Sequence, residues 1–330
     1  MEKLSIILPV YNGEKRLKRN LNSILNQDYP AIELIIINDG SKDSSAQIIE
    51  KMMKRADDKK NIEIRYIEQK NCGVAHTRNT GIQMATGKYT TFVDQDDYLD
   101  HDYCSRMMSE AKKRDVDILV SGYVRVDDEG KELYRQHLIE NDWAPYIVVA
   151  PWAHIYRTDF LRDKKLQFLS TGIGEDVYFN VLAYLSAKKT GVFPYEGYKW
   201  VNNPQSVSNT SQVAISKKAD PFFLLEKLEM AFMERQIEKN EYREYYMIRY
   251  AVWYMLYTIK GSTWKDTKEM ADKLFNWIAI HYPLYKKNPN ISFTKPKGDT
   301  FVNRWSVWVL VRAKQLHMDK LVLKILSWVL

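Results

Sequence analysis

The first hundred residues alternate between short apolar runs and segments with apolar residues at helical spacing. Leu4–Leu8, Leu34–Ile37 and Tyr89–Val93 are typical of buried strands, and residues 62–67 alternate like a half-buried strand. Between them, apolar residues recur every three or four positions, which indicates helices with one buried face. This alternation predicts a mostly parallel sheet with helices on both faces.

Polar residues follow three of these strands at the point where each ends. Tyr11 and Asn12 follow the first strand, Asp39 follows the second, and a run from Asp94 to Asp97 follows the fourth. Ligands of open parallel sheets bind outside the carboxyl ends of the strands. We therefore expect these polar groups to meet at one edge of the sheet.

The pattern changes after the fourth strand. Residues 177–185 have the spacing of a helix, and residues 192–201 are expected to form a hairpin. A segment rich in Asn, Ser, Gln and Thr at 202–216 is the expected linker, and helical patterns dominate after it. We expect two domains, 1–210 and 211–330, of which the second is mainly α-helical.

Charge is distributed unevenly between these two regions. Residues 1–210 hold 29 Lys/Arg against 30 Asp/Glu, a net charge of −1. Residues 211–330 hold 20 against 12, a net charge of +8, which completes the +7 of the whole chain. Six of the nine tryptophans also lie in the second region. A near-neutral first domain and a basic, aromatic-rich second domain indicate separate roles.

Composition and missing motifs exclude several classes of protein. Two cysteines, Cys72 and Cys104, are too few for a disulfide framework or a thiolate zinc site, which indicates a reducing compartment. The chain lacks a run of eighteen apolar residues that would predict a membrane-spanning helix, so we expect a cytoplasmic protein. The glycine-rich dinucleotide fingerprint, the phosphate loop and the Gly-x-Ser-x-Gly elbow are also missing. Of the kinds of site considered, these absences leave a metal–phosphate site held by carboxylates.

The loop after the fourth strand carries Asp94, Asp96 and Asp97. Two carboxylates separated by one residue can hold a hard divalent cation such as Mg²⁺ or Mn²⁺, which also binds substrate phosphates when few protein ligands are supplied. The alternative is that Asp97 or Asp100 caps the helix that begins nearby. Both roles are compatible, because neighbouring side chains point in different directions.

Three further positions allow both a structural and a functional interpretation. Asp39 either stabilises its turn or accepts a hydrogen bond from the N–H of a pyrimidine ring. Arg78 either lies on a helix surface or pairs with a phosphate. Glu175 and Asp176 either benefit from the dipole of the helix that they begin, or supply a general base in Asp176.

Five segments in a fixed order resemble the inverting nucleotide-sugar glycosyltransferases of family 2. The segments are Ile6–Glu14, Ile37–Ser41, Gly73–Ile82, Phe92–Asp97 and Gly174–Asp176. Each segment is short, but their common order and spacing make the resemblance specific. It implies the α/β GT-A fold, with a Rossmann-like, mostly parallel sheet, followed by a helical C-terminal domain that the resemblance does not cover.

The resemblance implies which residues bind a UDP-sugar. Pro9, Val10 and Tyr11 would line the base, and Asp39 would bond its ring nitrogen. Arg78 would lie near the nucleotide, and Asp94 would bond the ribose or the sugar. The full set implied for the nucleotide-sugar is Pro9, Val10, Tyr11, Asn12, Glu14, Asp39, Arg78, Asp94, Gln95 and Glu175.

Two catalytic roles follow from the same resemblance. Asp96 would ligate the Mn²⁺ or Mg²⁺ that bridges the diphosphate, and Asp176 would be the catalytic base that takes the proton from the acceptor hydroxyl. A divalent ion can neutralise the charge that develops on a diphosphate leaving group. One-step attack from the face opposite the leaving group would invert the anomeric centre.

Departures from the family pattern limit what is carried over, and His76-Thr77 replaces a more usual small pair before Arg78, which leaves the donor preference open. Gln95 replaces the small residue often found between the two aspartates, so contacts to the sugar are expected to differ. Processive members carry Gln-x-x-Arg-Trp, and here Phe301 precedes Arg304-Trp305 in place of Gln. We therefore expect a non-processive hexosyltransferase that adds one sugar to a lipid-linked or protein-linked glycan in surface polysaccharide or glycoconjugate synthesis.

Residues 301–330 combine a broad apolar surface with a polar face, expected on one helix. The polar face consists of His317, Lys320, Lys324 and Ser327. A basic amphipathic helix with tryptophans fits an anionic membrane surface, which would place the protein on the inner face of the membrane. The alternative is packing within its own domain or against a second chain in a homodimer.

Two other functions are alternatives to sugar transfer. One is a non-catalytic GT-A scaffold that binds a nucleotide or nucleic acid. The acidic loop would repel phosphates in the absence of a cation, so we expect no nucleic-acid partner. The other is a nucleotidyltransferase, which usually has a glycine-rich basic loop where this chain has Tyr11–Glu14.

Overall fold

The computed structural model describes residues 2–56, 62–171, 174–203, 214–215 and 220–329. They form two compact units. The sheet unit comprises the described residues within Met1–Glu140, Ala144–Ser170 and Gly174–Gln205. The helical unit comprises those within Asn141–Trp143, Thr171–Ile173 and Ser206–Leu330. The expected boundary after residue 210, and most of the expected linker at 202–216, lie outside the described residues.

The sheet unit alternates strands and helices as its sequence predicts. Its strands are β1 (Leu4–Val10), β2 (Ile32–Asn38), β3 (Ile62–Glu68), β4 (Tyr89–Phe92), β5 (Tyr98–Leu99), β6 (Ile118–Val126), β7 (Glu132–Gln136), β8 (His154–Arg157) and β9 (Thr190–Val201). Its helices are α1 (Leu17–Leu25), α2 (Ser45–Ala56), α3 (Val74–Met84), α4 (Tyr103–Arg114), α5 (Thr158–Asp163) and α6 (Glu175–Ser186). The four strands predicted first and the helix predicted at 177–185 are confirmed.

The strands form one sheet in the order β3-β2-β1-β4-β8-β6-β9-β5, and β7 pairs with β6. The strands β3, β2, β1 and β4 are parallel, as predicted. Strand β8 is antiparallel to both β4 and β6, whereas β9 runs parallel to β6. The sheet is therefore parallel across its first four strands and mixed beyond them.

Helices cover both faces of the parallel part of the sheet. Every residue of β1 is buried, as expected of a strand between two layers. Leu4, Ile6 and Leu8 pack in a core with apolar side chains of α1, α2 and α4. Ile7 points to the other face and meets α3 at Gly81, where an added Cβ would lie 2.4 Å from Cγ2 of Ile7. The alternation of side chains along β1 thus supports one helix layer on each side.

The parallel register brings the ends of three strands to one edge. Val10 pairs with Asn38, and Ile7 pairs with Phe92. The N–H of Asp39 donates to the carbonyl of Val10 at 2.8 Å. The loops that follow β1, β2 and β4 therefore leave the same edge of the sheet, as predicted from the sequence.

The hairpin expected at 192–201 is wrong, because these residues belong to the single strand β9. Ser121 pairs with Phe193 and Tyr123 pairs with Tyr198, so β9 advances five residues where β6 advances two. The Glu196-Gly197 dipeptide, which is typical of a turn, lies between these two pairs. Its turn-forming residues bend the strand locally, and β9 then resumes the same direction.

The helical unit contains α7 (Pro221–Glu234), α8 (Glu241–Ile259), α9 (Trp264–His281), α10 (Phe301–Gln315) and α11 (Asp319–Val329). Four of these helices begin with a side chain that accepts a hydrogen bond from the first turn. These capping residues are Asp220, Asn240, Thr263 and Thr300. Within the described ranges, the helices are too short or too polar to cross a membrane.

The expectation of one helix through 301–330 is wrong, because two helices, α10 and α11, occupy this segment. His317 lies between them with a φ of 59°, in the left-handed region that ends helices. The N–H of Met318 donates back to the carbonyl of Ala313 at 2.8 Å, which closes the end of α10. The apolar pattern continues through the break, so periodicity alone did not reveal it.

Candidate active site

The acidic loop (Asp94–Asp97) that follows β4 is held by residues from distant parts of the chain. The side-chain amide of Asn20 donates to the main-chain carbonyls of Asp94 and Asp97, both at 2.9 Å. Asp97 is 1% exposed, and its carboxylate accepts from the Tyr198 hydroxyl at 2.7 Å and from the Val201 N–H at 2.8 Å. Asp97 therefore anchors the acidic loop to β9.

The alternative that Asp97 or Asp100 caps α4 is wrong. The residue before α4 is Asp102, whose side chain makes no capping hydrogen bond. The Asp100 carboxylate pairs with the Lys199 ammonium at 2.7 Å. An Asp close to a helix start in sequence caps it only if the turn aims its side chain at the first N–H groups.

Asp96 has fewer partners than Asp97. Among the described residues, its carboxylate accepts one hydrogen bond from another residue, a 3.3 Å contact from Nδ2 of Asn203. Burial, followed by the negative charge of Asp94, raises the pKa of Asp96. A divalent cation beside Asp96 would relieve this repulsion, so the carboxylates fit Mn²⁺ or Mg²⁺.

A ligand would have to complete the coordination of such a cation. Across residues 2–56, 62–171, 174–203, 214–215 and 220–329, no three His, Cys, Asp or Glu side chains are arranged to hold a metal by themselves. Magnesium-like ions commonly bind through one or two carboxylates plus the phosphate oxygens of a substrate. The acidic loop matches a site in which substrate phosphates complete the coordination of the ion.

Arg78 joins two carboxylates that are far apart in the sequence. Its Nη1 donates to Oδ1 of Asp176 at 2.6 Å, and its Nη2 donates to Oδ1 of Asp94 at 2.8 Å. The side chain of Arg78 is only 4% exposed, whereas each carboxylate is 28% exposed. Burial acts to lower the pKa of Arg78, but Asp176 and Asp94 outweigh it and raise that pKa. Arg78 is therefore a charged partner of both acids and not a helix-surface arginine.

Asp176 lies in the first turn of α6, after Gly174, whose φ is 85°. Burial raises the pKa of Asp176 to about 7, and the negative charges of Glu175 and Asp94 act in the same direction, against the Arg78 guanidinium. A carboxylate with such a pKa is partly ionised at neutral pH and basic enough to accept a proton. Glu175 contributes to the site through its charge on the first turn of α6.

Sequence reasoning missed two residues that fix the segment before α6. The Asn79 side chain donates to the carbonyl of Phe168 at 2.9 Å and accepts from its N–H at 2.7 Å. The Phe168 ring centroid lies 5.1 Å from the Arg78 guanidinium and 4.0 Å from the ring of Phe179 on α6. Asn79 follows Arg78 directly on α3, and this position was the available sequence signal.

Asp39 cross-links the loop after β2 to the start of α3. Its Oδ1 accepts from the N–H of Cys72 at 2.8 Å and from Nε2 of Gln69 at 2.7 Å. Its Oδ2 accepts from the N–H of Gly73 at 2.8 Å. The local turn bond expected of Asp39 is instead made by Asn38, whose Oδ1 accepts from the Ser41 N–H at 3.1 Å. Asp39 therefore positions α3, and with it Arg78.

The remaining predicted residues lie on β1 and the loop that follows it. Pro9 and Val10 are buried within β1, whereas Tyr11 is 44% exposed. Oδ1 of Asn12 accepts from the Lys42 N–H at 2.8 Å, and Oε2 of Glu14 accepts from the Ser44 N–H at 3.0 Å. The two polar side chains thus tie this loop to the one that carries Asp39. Gln95, on the acidic loop, bonds the main chain of Tyr11.

Comparison with known proteins shows to which family the chain belongs. The model of glycosyl transferase family 2 matches residues 5–178, which is more than half of the chain. The chain belongs to this family. The match includes every residue predicted for the site, from Pro9 to Asp176. It ends before β9 and before the five described helices of the helical unit.

Two curated relatives are longer proteins that match this chain over part of their length. GlyA of Streptococcus pneumoniae serotype 4, a glycosyltransferase, is 30% identical over 207 residues, which are 57% of this chain and 29% of that protein. TarS of Staphylococcus aureus strain MW2, a poly(ribitol-phosphate) beta-N-acetylglucosaminyltransferase, is also 30% identical over 207 residues, 60% of this chain and 35% of its own length. The matches thus span about a third of each relative.

A solved structure establishes the fold. The crystal structure of S. aureus TarS residues 1–349 in complex with UDP-GlcNAc has a TM-score of 0.69 to this chain at 19% identity. The superposition covers 96% of this chain and 92% of that one. The family 2 chain therefore has the expected GT-A fold, followed by a helical region.

Proposed function

We propose that this protein is an inverting glycosyltransferase that moves one sugar from a UDP-sugar to a hydroxyl of a glycan acceptor. The observation that carries the proposal is the pair of contacts from Arg78 to Asp94 and Asp176. They link a carboxylate on the acidic loop to a carboxylate with a pKa of about 7. The UDP-GlcNAc complex of the TarS structure supports a UDP-sugar as the donor.

The donor would be bound along the edge where β1, β2 and β4 end. Tyr11 offers an exposed ring for the base. Oδ2 of Asp39 accepts a hydrogen bond from the Gly73 N–H and has a lone pair left for a ring N–H. Asp94 would bond the ribose or the sugar through the oxygen that Arg78 does not occupy.

Asp96 would hold Mn²⁺ or Mg²⁺ together with the donor diphosphate. The ion would supply neutralisation of the charge that develops on the leaving diphosphate. Asp94 contributes negative charge next to Asp96, which favours cation binding at the acidic loop. Asp97 would hold the acidic loop in place through the hydrogen bonds that it accepts from Tyr198 and Val201.

Asp176 would act as the general base. Its Oδ1 accepts from Arg78, and its Oδ2 would take the proton of the acceptor hydroxyl. The hydroxyl oxygen would attack the anomeric carbon as the bond to the diphosphate breaks, and the proton would pass to Asp176. Attack from the face opposite the leaving group inverts the configuration. A base of this kind contributes a factor of about a hundred to ten thousand in rate.

The helical unit would bind an anionic membrane surface, such as the one that presents a lipid-linked acceptor. Leu321, Ile325 and Trp328 recur at helical spacing on α11 and are 54%, 48% and 75% exposed. Leu323, on the opposite side of the same helix, is fully buried. The apolar stripe is therefore additional to the packed face, and the net charge of +8 over residues 211–330 complements anionic lipid.

Turnover of UDP-sugars tests the proposed activity. Wild-type protein is supplied with Mn²⁺, a panel of UDP-sugars and a soluble glycoside acceptor, and released UDP is measured alongside the anomeric configuration of the product by NMR. Asp176→Asn and Asp96→Asn are each expected to lower kcat/KM by about a hundredfold or more. Retention of the donor's configuration, or full activity in both variants, would contradict the proposal.

A further inference from the structure

Gln95 occupies the position between Asp94 and Asp96, yet its side chain is directed to the neighbouring loop. Its Oε1 accepts from the N–H of Tyr11 at 2.9 Å, and its Nε2 donates to the carbonyl of Tyr11 at 2.9 Å. The amide thus pairs with both main-chain groups of one residue. These two hydrogen bonds fix the orientation of the Tyr11 main chain relative to the acidic loop.

Gly13 provides the space for this amide. A Cβ at position 13 would lie 2.4 Å from Oε1 of Gln95 and 2.9 Å from its Cδ. Because real Cβ atoms do not approach so closely, a side chain at Gly13 would push the amide away from Tyr11. The glycine and the glutamine therefore act as a matched pair.

The opposite side of the same loop is also tied down. The N–H of Asn12 donates to the hydroxyl of Ser41 at 3.0 Å, and the N–H of Gly13 donates to the hydroxyl of Ser45 at 2.9 Å. Tyr11 is consequently held between the acidic loop and the loop after β2. Its side chain is nevertheless 44% exposed. The main chain is fixed while the ring is free to receive a ligand.

We infer that Gln95 is a positioning residue that fixes Tyr11 for contact with the nucleobase and thereby joins base recognition to the acidic loop. The inference deepens the proposed function and rests on it. Because the main chain that carries the Tyr11 ring is already ordered, less conformational entropy is lost when a base stacks on the ring, which strengthens binding. Gln95 would act on donor affinity through Tyr11, and leave proton transfer at Asp176 unaffected.

The Gln95 amide both accepts a hydrogen bond from Tyr11 and donates one to it, so the variants are chosen to disturb these two hydrogen bonds. Gln95→Met keeps the length of the side chain and removes both hydrogen bonds. Gln95→Glu keeps the acceptor, but sets a carboxylate oxygen against the carbonyl of Tyr11 and adds charge next to Asp94. Gly13→Ala displaces the amide without changing it. The control is Gln83→Met, because Gln83 is an exposed residue of α3 outside this network.

Calorimetric titration with UDP and with inorganic pyrophosphate, each in the presence of Mn²⁺, tests the inference. Two neutral hydrogen bonds predict that Gln95→Met and Gly13→Ala raise the Kd for UDP by about tenfold. The Kd for pyrophosphate is expected to stay within about twofold, because pyrophosphate has no base to contact Tyr11. Steady-state assays are expected to show a higher KM for the UDP-sugar with an unchanged kcat.

Distinct outcomes would overturn the inference. Thermal unfolding of each variant first verifies that it is folded. An unchanged Kd for UDP in folded Gln95→Met and Gly13→Ala would show that Gln95 does not position the base site. An equal loss for UDP and pyrophosphate would assign Gln95 to the acidic loop alone. A wild-type protein that binds pyrophosphate with Mn²⁺ but not UDP would contradict the proposed donor, and this inference with it.

Discussion

Nη1 of Arg78 lies 2.6 Å from Oδ1 of Asp176, although the two residues are 98 positions apart in the sequence. The second arm of the same guanidinium reaches Asp94. A planar fork can hold two carboxylates at a fixed separation, which a flexible ammonium cannot do. Arg78 therefore sets the relative position of the acidic loop and the first turn of α6.

Arg78→Lys is expected to lower kcat by about ten- to a hundredfold, because one ammonium cannot hold both carboxylates in place. Arg78→Met removes the positive charge, so the ionised form of Asp176 is less favoured and its pKa rises. The pH profile of kcat/KM in Arg78→Met should shift to higher pH. Arg55→Lys, on the exposed end of α2, is the matched control. An unshifted profile in Arg78→Met would remove Arg78 from this role.

The pH dependence of kcat/KM is expected to report Asp176 in the free enzyme. Burial raises its pKa to about 7, and the base must be ionised to accept a proton. The rate should rise about tenfold per pH unit below that value and level off above it. Initial rates from pH 5 to pH 9 measure this profile. Asp176→Asn should abolish the ascending limb, and persistence of the limb would point to another base.

Asp39→Asn is expected to destabilise the fold as well as to weaken donor binding. The asparagine NH₂ group would face the N–H of Cys72 or Gly73, which would lose its acceptor. Because this segment is only partly buried, the expected loss is about 1 kcal/mol of unfolding free energy, measured by urea denaturation. Asp28→Asn is the control, because Asp28 is exposed and accepts from Ser105 at the surface. Equal stability of the two variants would argue against the cross-link.

Binding of the helical unit to lipid is expected to depend on the exposed stripe of α11. Leu321→Ser with Ile325→Ser should weaken co-sedimentation with vesicles of phosphatidylglycerol and phosphatidylcholine by about tenfold or more. Ile280→Ser is the control, because Ile280 is 76% exposed on α9, outside the stripe. Vesicles of phosphatidylcholine alone, or high salt, should bind less wild-type protein.

The same double variant distinguishes lipid from a second copy of the chain. If the stripe serves a homodimer, light scattering will show a dimer in the wild type and a monomer in the variant. That result, without vesicle binding, would contradict membrane attachment. A monomeric wild type that binds anionic vesicles would support it.

Local pattern was enough to predict the parallel half of the sheet and the edge where its strands end. A run of consecutive apolar residues such as Leu34–Ile37 by itself indicates a buried strand. The alternating order of strands and helices along the chain is compatible with few parallel arrangements. Motif order likewise identified the family and its candidate residues. The choice between a structural and a functional role depended on distant partners. The partners of the Asp39 carboxylate lie 30 to 34 positions away, and Asp176 lies 98 positions from Arg78.

The sequence by itself determined which segments are buried, which loops carry acids, and which family the front of the chain resembles, because these are properties of neighbouring residues. Tertiary structure decided that β9 continues through Glu196-Gly197, that the tail breaks at His317, and that Gln95 turns to Tyr11. Each of these depends on register and on contacts between segments distant in the chain. Periodicity does not encode such contacts, since the same local pattern is compatible with several partners.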